Sequence, residues 1–75
     1  MIRIYADFNS QDEQGRVVLD TVGSLADIER CTDPLTEGLK VILYMSDVEL
    51  LGTLVFDEGR WKGIPDWSTS RDLSS

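Results

Sequence analysis

Apolar and polar positions alternate over most of this chain, and the alternation breaks at polar or glycine-containing stretches. Ile2, Ile4, Ala6 and Phe8 are separated by Arg3, Tyr5 and Asp7, which predicts a strand with one apolar face. Asn9 to Gly15 is polar and predicts a loop. Arg16-Val17-Val18-Leu19-Asp20 is short and β-branched, the composition of a second strand. Leu39, Val41, Leu43 and Met45 alternate again. After the connection Ser46 to Glu49, Leu50 to Phe56 is apolar except for Gly52 and Thr53, as in a central strand, with Gly52 marking a bulge or bend. The tight turn Asp57-Glu58-Gly59-Arg60 then leads into a last short strand carrying Trp61.

One segment follows a helical period. Ser24 as N-cap, with Asp27 three residues on, predicts a helix of one or two turns with Leu25 and Ile28 turned inward. Thr32-Asp33-Pro34 stops it near Cys31. So short a helix needs the sheet for support. These elements define a mainly β fold: five short strands in a small, partly open barrel with one short helix or helical turn. The pattern leaves a closed barrel and an open sheet with a covering helix as alternatives. Residues 1–67 form a single small β-barrel domain, and 68–75, polar with only Leu73 apolar, read as a mobile polar tail.

Three segments resemble the Src-homology-3-like barrel superfamily. Ile4-Tyr5-Ala6-Asp7-Phe8 is similar to its opening segment, Glu37 to Leu43 to the turn and strand that begin its meander, and Gly63-Ile64-Pro65 to the Gly-Phe/Ile-Pro that ends it. The resemblance implies the barrel. In peptide-binding members it also implies an aromatic groove for a proline-rich segment, with acids of the long early loop, here Asp12 and Glu13, selecting basic ligands. This chain departs from that groove: Glu49 and Leu50 stand where those members carry Trp, and Ser68 stands where they carry Tyr.

Seventy-five residues support one small core. Cys31 is the single cysteine, so no intrachain disulfide is available, and the lone thiol fits a reducing, cytoplasmic setting. No apolar run approaches the roughly 20 residues of a membrane span, and the amino terminus lacks the pattern of a signal peptide. The net charge of −7, from 14 acidic and 7 basic residues, opposes nucleic-acid and anionic-membrane binding. It favours either a solvated surface or a face that meets a basic partner. Asp12, Glu13, Asp57 and Glu58 are expected to be solvated.

The candidate chemistry is sparse. There is no histidine, which removes the commonest general base and metal ligand. Cys31 lacks a partner base and reads as a packing residue. No metal site, cofactor, phosphate loop or small-molecule substrate is expected. The aromatics are more informative. Positions 61, 63, 65 and 67 of a strand share a face. Trp61, Pro65 and Trp67, with Tyr5, are therefore the candidate surface patch for a protein partner, joined by Asp12 and Glu13 in the loop. The competing reading has the indoles covering the small core, more so for Trp61 than for Trp67. Lys40, Arg60 and Lys62 make at most a small basic spot. The leading expectation is a non-catalytic protein-interaction module. The alternatives are a small acidic accessory subunit docking on a larger complex and, less favoured, a carboxylate-based enzyme.

Overall fold

The computed structural model describes residues 1–73. Five strands and one helix occur in the order β1 (Arg3–Tyr5), β2 (Val17–Val18), α1 (Val22–Arg30), β3 (Lys40–Met45), β4 (Val48–Asp57) and β5 (Arg60–Asp72). They form one curled sheet, a half-barrel, with strand order β1-β3-β4-β5-β2. The fold is thus the mainly β, partly open barrel with one short helix that the pattern predicts, in its open form. β1 runs parallel to β3, and the other pairs are antiparallel. No helix among the described residues is long and apolar enough to cross a membrane.

The concave face holds the core. Ile4, Ala6, Val17, Leu19, Val41, Leu43, Leu50 and Leu54 are buried there, with Phe8, Ile28, Leu35, Leu39 and Trp61 packed at the margin. Gly52 and Gly63 serve one side chain. A Cβ on Gly52 would lie 2.5 Å from Leu43 Cδ1, and one on Gly63 would lie 2.7 Å from the same atom. Two bare backbones thus let Leu43 reach across β4 to β5, which a flat sheet would not permit. The β4–β5 hairpin turns at Glu58-Gly59 with φ of 56° and 73°, the positive pair that a two-residue hairpin of matching twist requires.

Three expectations are corrected. The bulge lies not at Gly52 but opposite Leu50. Leu51 opposes Asp66 while Glu49 opposes Arg71, so Leu50 alone faces the four residues Trp67 to Ser70. The stretch from Ser68 is not a detached tail as far as Asp72, because β5 continues past the bulge and pairs Asp72 with Val48. The rest of that tail reading, at positions 74–75, falls outside the described residues. The helix begins earlier than expected. Thr21 is its N-cap, accepting the Ser24 N–H at 3.1 Å, and Cys31 is its C-cap. Of the two apolar residues expected inward, Ile28 packs against the core but Leu25 is exposed, and the face turned to β1 is polar, with Ser24 and Asp27 buried.

That polar face has a physical purpose. β1 is an edge strand, and its even positions hydrogen-bond toward β3: Ile42 N–H donates to Ile2 O and Ala6 N–H to Tyr44 O. The backbone of Tyr5 therefore points away from β3. Asp27 Oδ2 accepts the Tyr5 N–H at 2.8 Å, and the Ser24 hydroxyl donates to Tyr5 O. Two helical side chains thus do for Tyr5 what a further strand would do, and the edge is closed to pairing.

Candidate functional site

The bulge in β5 positions the most exposed indole. Asp66 Oδ1 accepts from the Ser68 N–H at 3.1 Å, Thr69 Oγ1 donates to Asp66 O at 2.7 Å, and Leu51 N–H donates to Thr69 Oγ1 at 2.8 Å. These bonds satisfy the looped-out backbone and lift Trp67 to the crest of the bulge. Its side is covered by Phe8, edge to face with ring centroids 5.4 Å apart, and the residue remains 51 % exposed. Trp61 is treated differently. It packs against the core and meets Phe56 edge to face at 5.0 Å. Pro65 is half-buried between them, opposite Gly52.

The β5 backbone fixes what Pro65 does at the edge. Leu19 N–H donates to Trp61 O at 3.0 Å, so the odd positions of β5 direct their backbone groups toward β2 and, beyond its end, to the side where no strand follows. Pro65 occupies such a position and has no N–H to offer there. A proline at this point blunts the exposed part of the edge.

Tyr5 is not part of this aromatic group. Its ring meets Tyr44 at 5.8 Å and lies against Gly23, because β1 alternation puts Ile4 and Ala6 in the core and Tyr5 on the other face. Asp12 is also misplaced by the expectation of a solvated acidic pair. Of the pair, Glu13 is exposed and Asp12 is half-buried. Asp12 Oδ1 accepts the backbone N–H groups of Gln14 and Arg16, both at 2.9 Å, and its Oδ2 takes Arg16 Nε at 2.7 Å and Lys62 Nζ at 3.2 Å. Asp57, expected to be solvated at its turn, takes Arg16 at 2.8 Å and Lys62 at 3.2 Å.

The result is a two-cation, three-carboxylate cluster, completed by Glu58 at 3.6 Å from Lys62 Nζ. Asp12, Arg16, Glu58 and Lys62 of this cluster line a surface depression of about 410 Å³ at the early loop. Lys62 carries a side chain only 4 % exposed, so the basic spot expected from Lys40, Arg60 and Lys62 does not form. Burial pushes the Asp12 carboxyl up, but the hydrogen bonds from Arg16, Gln14 and Lys62 outweigh it and hold the group well below the ordinary carboxylate range. Lys62 and Arg16 hold Asp57 down in the same way. Burial alone would lower the Lys62 ammonium, yet Asp12, Asp57 and Glu58 keep it above its usual value.

Asp27 forms the third polar centre. Besides the Tyr5 N–H it accepts the Tyr44 hydroxyl at 2.6 Å and pairs with Arg30. Burial raises its carboxyl, and the donors from Tyr44, Tyr5 and Arg30 bring it below the ordinary value. Tyr44 is pushed up, first by its bond to Asp27. Cys31 donates its thiol to Asp27 O at 3.3 Å. Among the described residues no group of three or more thiol or carboxylate donors could hold a metal ion.

Residues that sequence reasoning missed include Phe8, Arg16, Asp27 and Lys62. Phe8 was legible only as a core position. Lys62 gave one available signal, since it follows Trp61 and precedes Gly63 inside a strand whose neighbours are apolar. No family model, curated protein or solved structure matches this chain.

Proposed function

We propose that this chain is a non-catalytic protein-interaction module that holds a segment of a partner protein against Trp67 and Phe8, with Pro65 alongside. The observation that carries the reading is the bulge at residues 67–70. A hydrogen-bonded irregularity holds a tryptophan at the surface, although a small core gains most from burying its largest rings. Exposed tryptophans are the residues most enriched at binding hot spots. The ionisation pattern supports a non-catalytic role. The shifted carboxyls, Asp12, Asp27 and Asp57, are all pushed down, whereas a general acid needs one raised toward neutrality.

The curled sheet and its β3–β5 meander are compatible with a Src-homology-3-like barrel, and we read it as a variant of that architecture. The peptide groove of that family is not the basis of the proposal. Gly63-Ile64-Pro65 lies inside the 13-residue β5 rather than at the end of a meander, and the aromatic surface here is built on the bulge. The free thiol of Cys31 fits a cytoplasmic setting.

A second reading, docking of an acidic accessory subunit, draws on charge. Among the described residues Asp7, Glu13, Glu29, Asp33, Glu37, Asp47 and Asp66 hold no ion pair, while Lys40 is the one Lys or Arg side chain that lacks one. The test is photocrosslinking with a benzophenone amino acid in place of Trp67, in extract of the source cells. The proposal expects an adduct that excess unlabelled protein competes away and that Trp67→Ala protein does not. If Trp67→Ala competes equally, the aromatic reading fails. If 0.5 M salt also abolishes the adduct, the acidic surface takes its place.

A further inference from the structure

The convex face of the sheet carries a patch with an unusual arrangement of charge. Pairing places Lys40, Thr53 and Ile64 in one row across β3, β4 and β5, and Ile42, Leu51 and Asp66 in the next. These positions alternate with Val41, Gly52 and Gly63 of the buried face, so all six share the outer one. Leu51 and Ile64 are 36 % and 45 % exposed, and Met1, beside Leu51, is 77 % exposed. Leu51 is the ridge between two depressions. One, about 200 Å³, is lined by Met1, Lys40, Thr53 and Asp66. The other, about 270 Å³, is lined by Ile42, Glu49, Thr69 and Arg71.

Two opposite corners of this patch carry side-chain charges that, among the described residues, have no ion-pair partner. Among the described residues Lys40 donates only to Thr53 Oγ1, at 2.5 Å, and pairs with no carboxylate. The Asp66 carboxylate accepts from Ser68 and pairs with no cation among the described residues. They sit at diagonally opposite corners, two strands and two residues apart. Neighbouring strands lie about 4.8 Å apart and alternate residues about 6.8 Å, so the two sides of the rectangle are of similar length, roughly 10 and 7 Å. A two-fold axis in the plane of the patch, through its centre and perpendicular to the Lys40–Asp66 diagonal, exchanges the Lys40 corner with the Asp66 corner. It lays one sheet on its copy in near-orthogonal packing, a standard geometry for face-to-face sheets.

We infer that this convex face is the isologous interface of a homodimer, in which Lys40 of each copy meets Asp66 of the other and Leu51 of each fills a depression of its partner. Two-fold symmetry requires a self-complementary patch, and side chains of opposite charge at opposite corners of an apolar ridge meet that requirement. An unrelated partner would need no such internal match. The net charge of −7 per copy opposes association at long range, but at physiological salt that repulsion is screened beyond about 8 Å, and the corner pairs act at contact.

The test is sedimentation equilibrium of the full chain in 0.15 M salt, from micromolar to millimolar concentration, on four proteins. Wild type is expected to dimerise. Lys40→Glu sets two carboxylates at each corner pair and Asp66→Lys sets two ammonium groups there; each is expected to weaken the dimer at least tenfold. An equimolar mixture of the two variants restores both pairs and should form a heterodimer at least tenfold tighter than either homodimer. Leu51→Arg, which puts a charge at the centre, should give monomer throughout. Circular dichroism establishes that each variant is folded, and the mixing experiment relies on the two variants correcting each other rather than on loss alone. A wild type that stays monomeric at millimolar concentration, including one whose convex face is taken by another protein, overturns the inference. So does a dimer indifferent to Leu51→Arg, or a mixture that shows no preference for the heterodimer.

Discussion

The two edges of the half-barrel are closed by different means. At β1 the edge backbone is satisfied by side chains from a helix 19 and 22 residues further along: Ser24 donates to Tyr5 O and Asp27 accepts the Tyr5 N–H. At β2 the covering segment is local. Ser10 O accepts the Val18 N–H at 2.9 Å, Asp12 N–H donates to Arg16 O at 2.9 Å, and Gln11 bridges to Val17. A carboxylate is central in both places, but its work differs. Asp27 replaces a missing strand and answers mostly to neutral donors. Asp12 first folds a turn around itself and then gathers two cations. A single-residue change at the first edge therefore orphans main chain, whereas one at the second edge rearranges a charge cluster.

The strongest way to break this contrast is Asp27→Ala. It leaves the Tyr5 N–H and the Tyr44 hydroxyl without their acceptor in a site where Asp27 has a side chain only 7 % exposed. Two orphaned donors lead us to expect a loss of about 3 kcal/mol in denaturant unfolding. Asp27→Asn keeps an acceptor of the same shape and should lose about half as much. Equal losses for the two variants would mean that charge, and not closure of the edge, is what Asp27 supplies.

Ser24→Ala removes one hydroxyl from the same edge. Tyr5 O loses its donor and Thr21 Oγ1 loses its neighbour at 2.9 Å. The expected loss is about 1 kcal/mol, the ordinary cost of one such hydrogen bond. Hydrogen exchange should localise the effect. Protection should fall at Tyr5 and along α1, and stay unchanged at Val17 and Val18.

These edges also divide what the sequence reveals from what it conceals. Period-2 alternation exposed the strands, and Glu58-Gly59 exposed the hairpin, because both signals are local. The turn chemistry of Asp12, by contrast, depends on Arg16 and then on Lys62, which is 50 residues away. A pair Ser24/Asp27 at i, i+3 has the same spacing in a capping box as on a buried helical face, and apolar Leu25 beside it pulls the reading toward an inward Leu25. What distinguishes the cases is the direction of the Tyr5 backbone, which exists only once β1 has paired with β3. The bulge that presents Trp67 was hidden for a similar reason. Strict alternation carried Trp67 onto the face of Trp61, and nothing local announces that four residues will oppose Leu50.

Acid sharpens the comparison without mutation. Asp12 and Asp27 both ionise at lower pH when folded than the roughly 3.9 of an unfolded aspartate. Between the two values the unfolded chain binds more protons, so stability rises with pH there and is level above about pH 5. Going down, each edge loses its contribution as its own carboxyl takes up a proton. Asp12 takes four donors, two of them cationic, whereas Asp27 takes three with one cation, so the proton reaches Asp27 first. The β1 edge should therefore release first, and amide NMR should show Tyr5 N–H titrating at higher pH than Arg16 N–H. Coincident titration of the two amides would mean that the edges are one cooperative unit.

Lys62→Met should have the smallest effect at neutral pH. The side chain lies beside Val18 and Val55 in the sheet register, so a thioether of similar length fits where the aliphatic stem already runs. Asp12 keeps Arg16 and its two backbone donors, and Asp57 keeps Arg16. Neither carboxylate is left without a partner, which is the condition under which an apolar replacement of a buried ion is tolerated. The loss is instead displaced along the pH axis. Without the ammonium both carboxyls are held down less, so the acid transition of the β2 edge should move up toward that of the β1 edge, and the separation between the Arg16 and Tyr5 amide titrations should narrow. An unchanged separation would show that Arg16 alone holds the loop and that Lys62 is a passenger in the cluster.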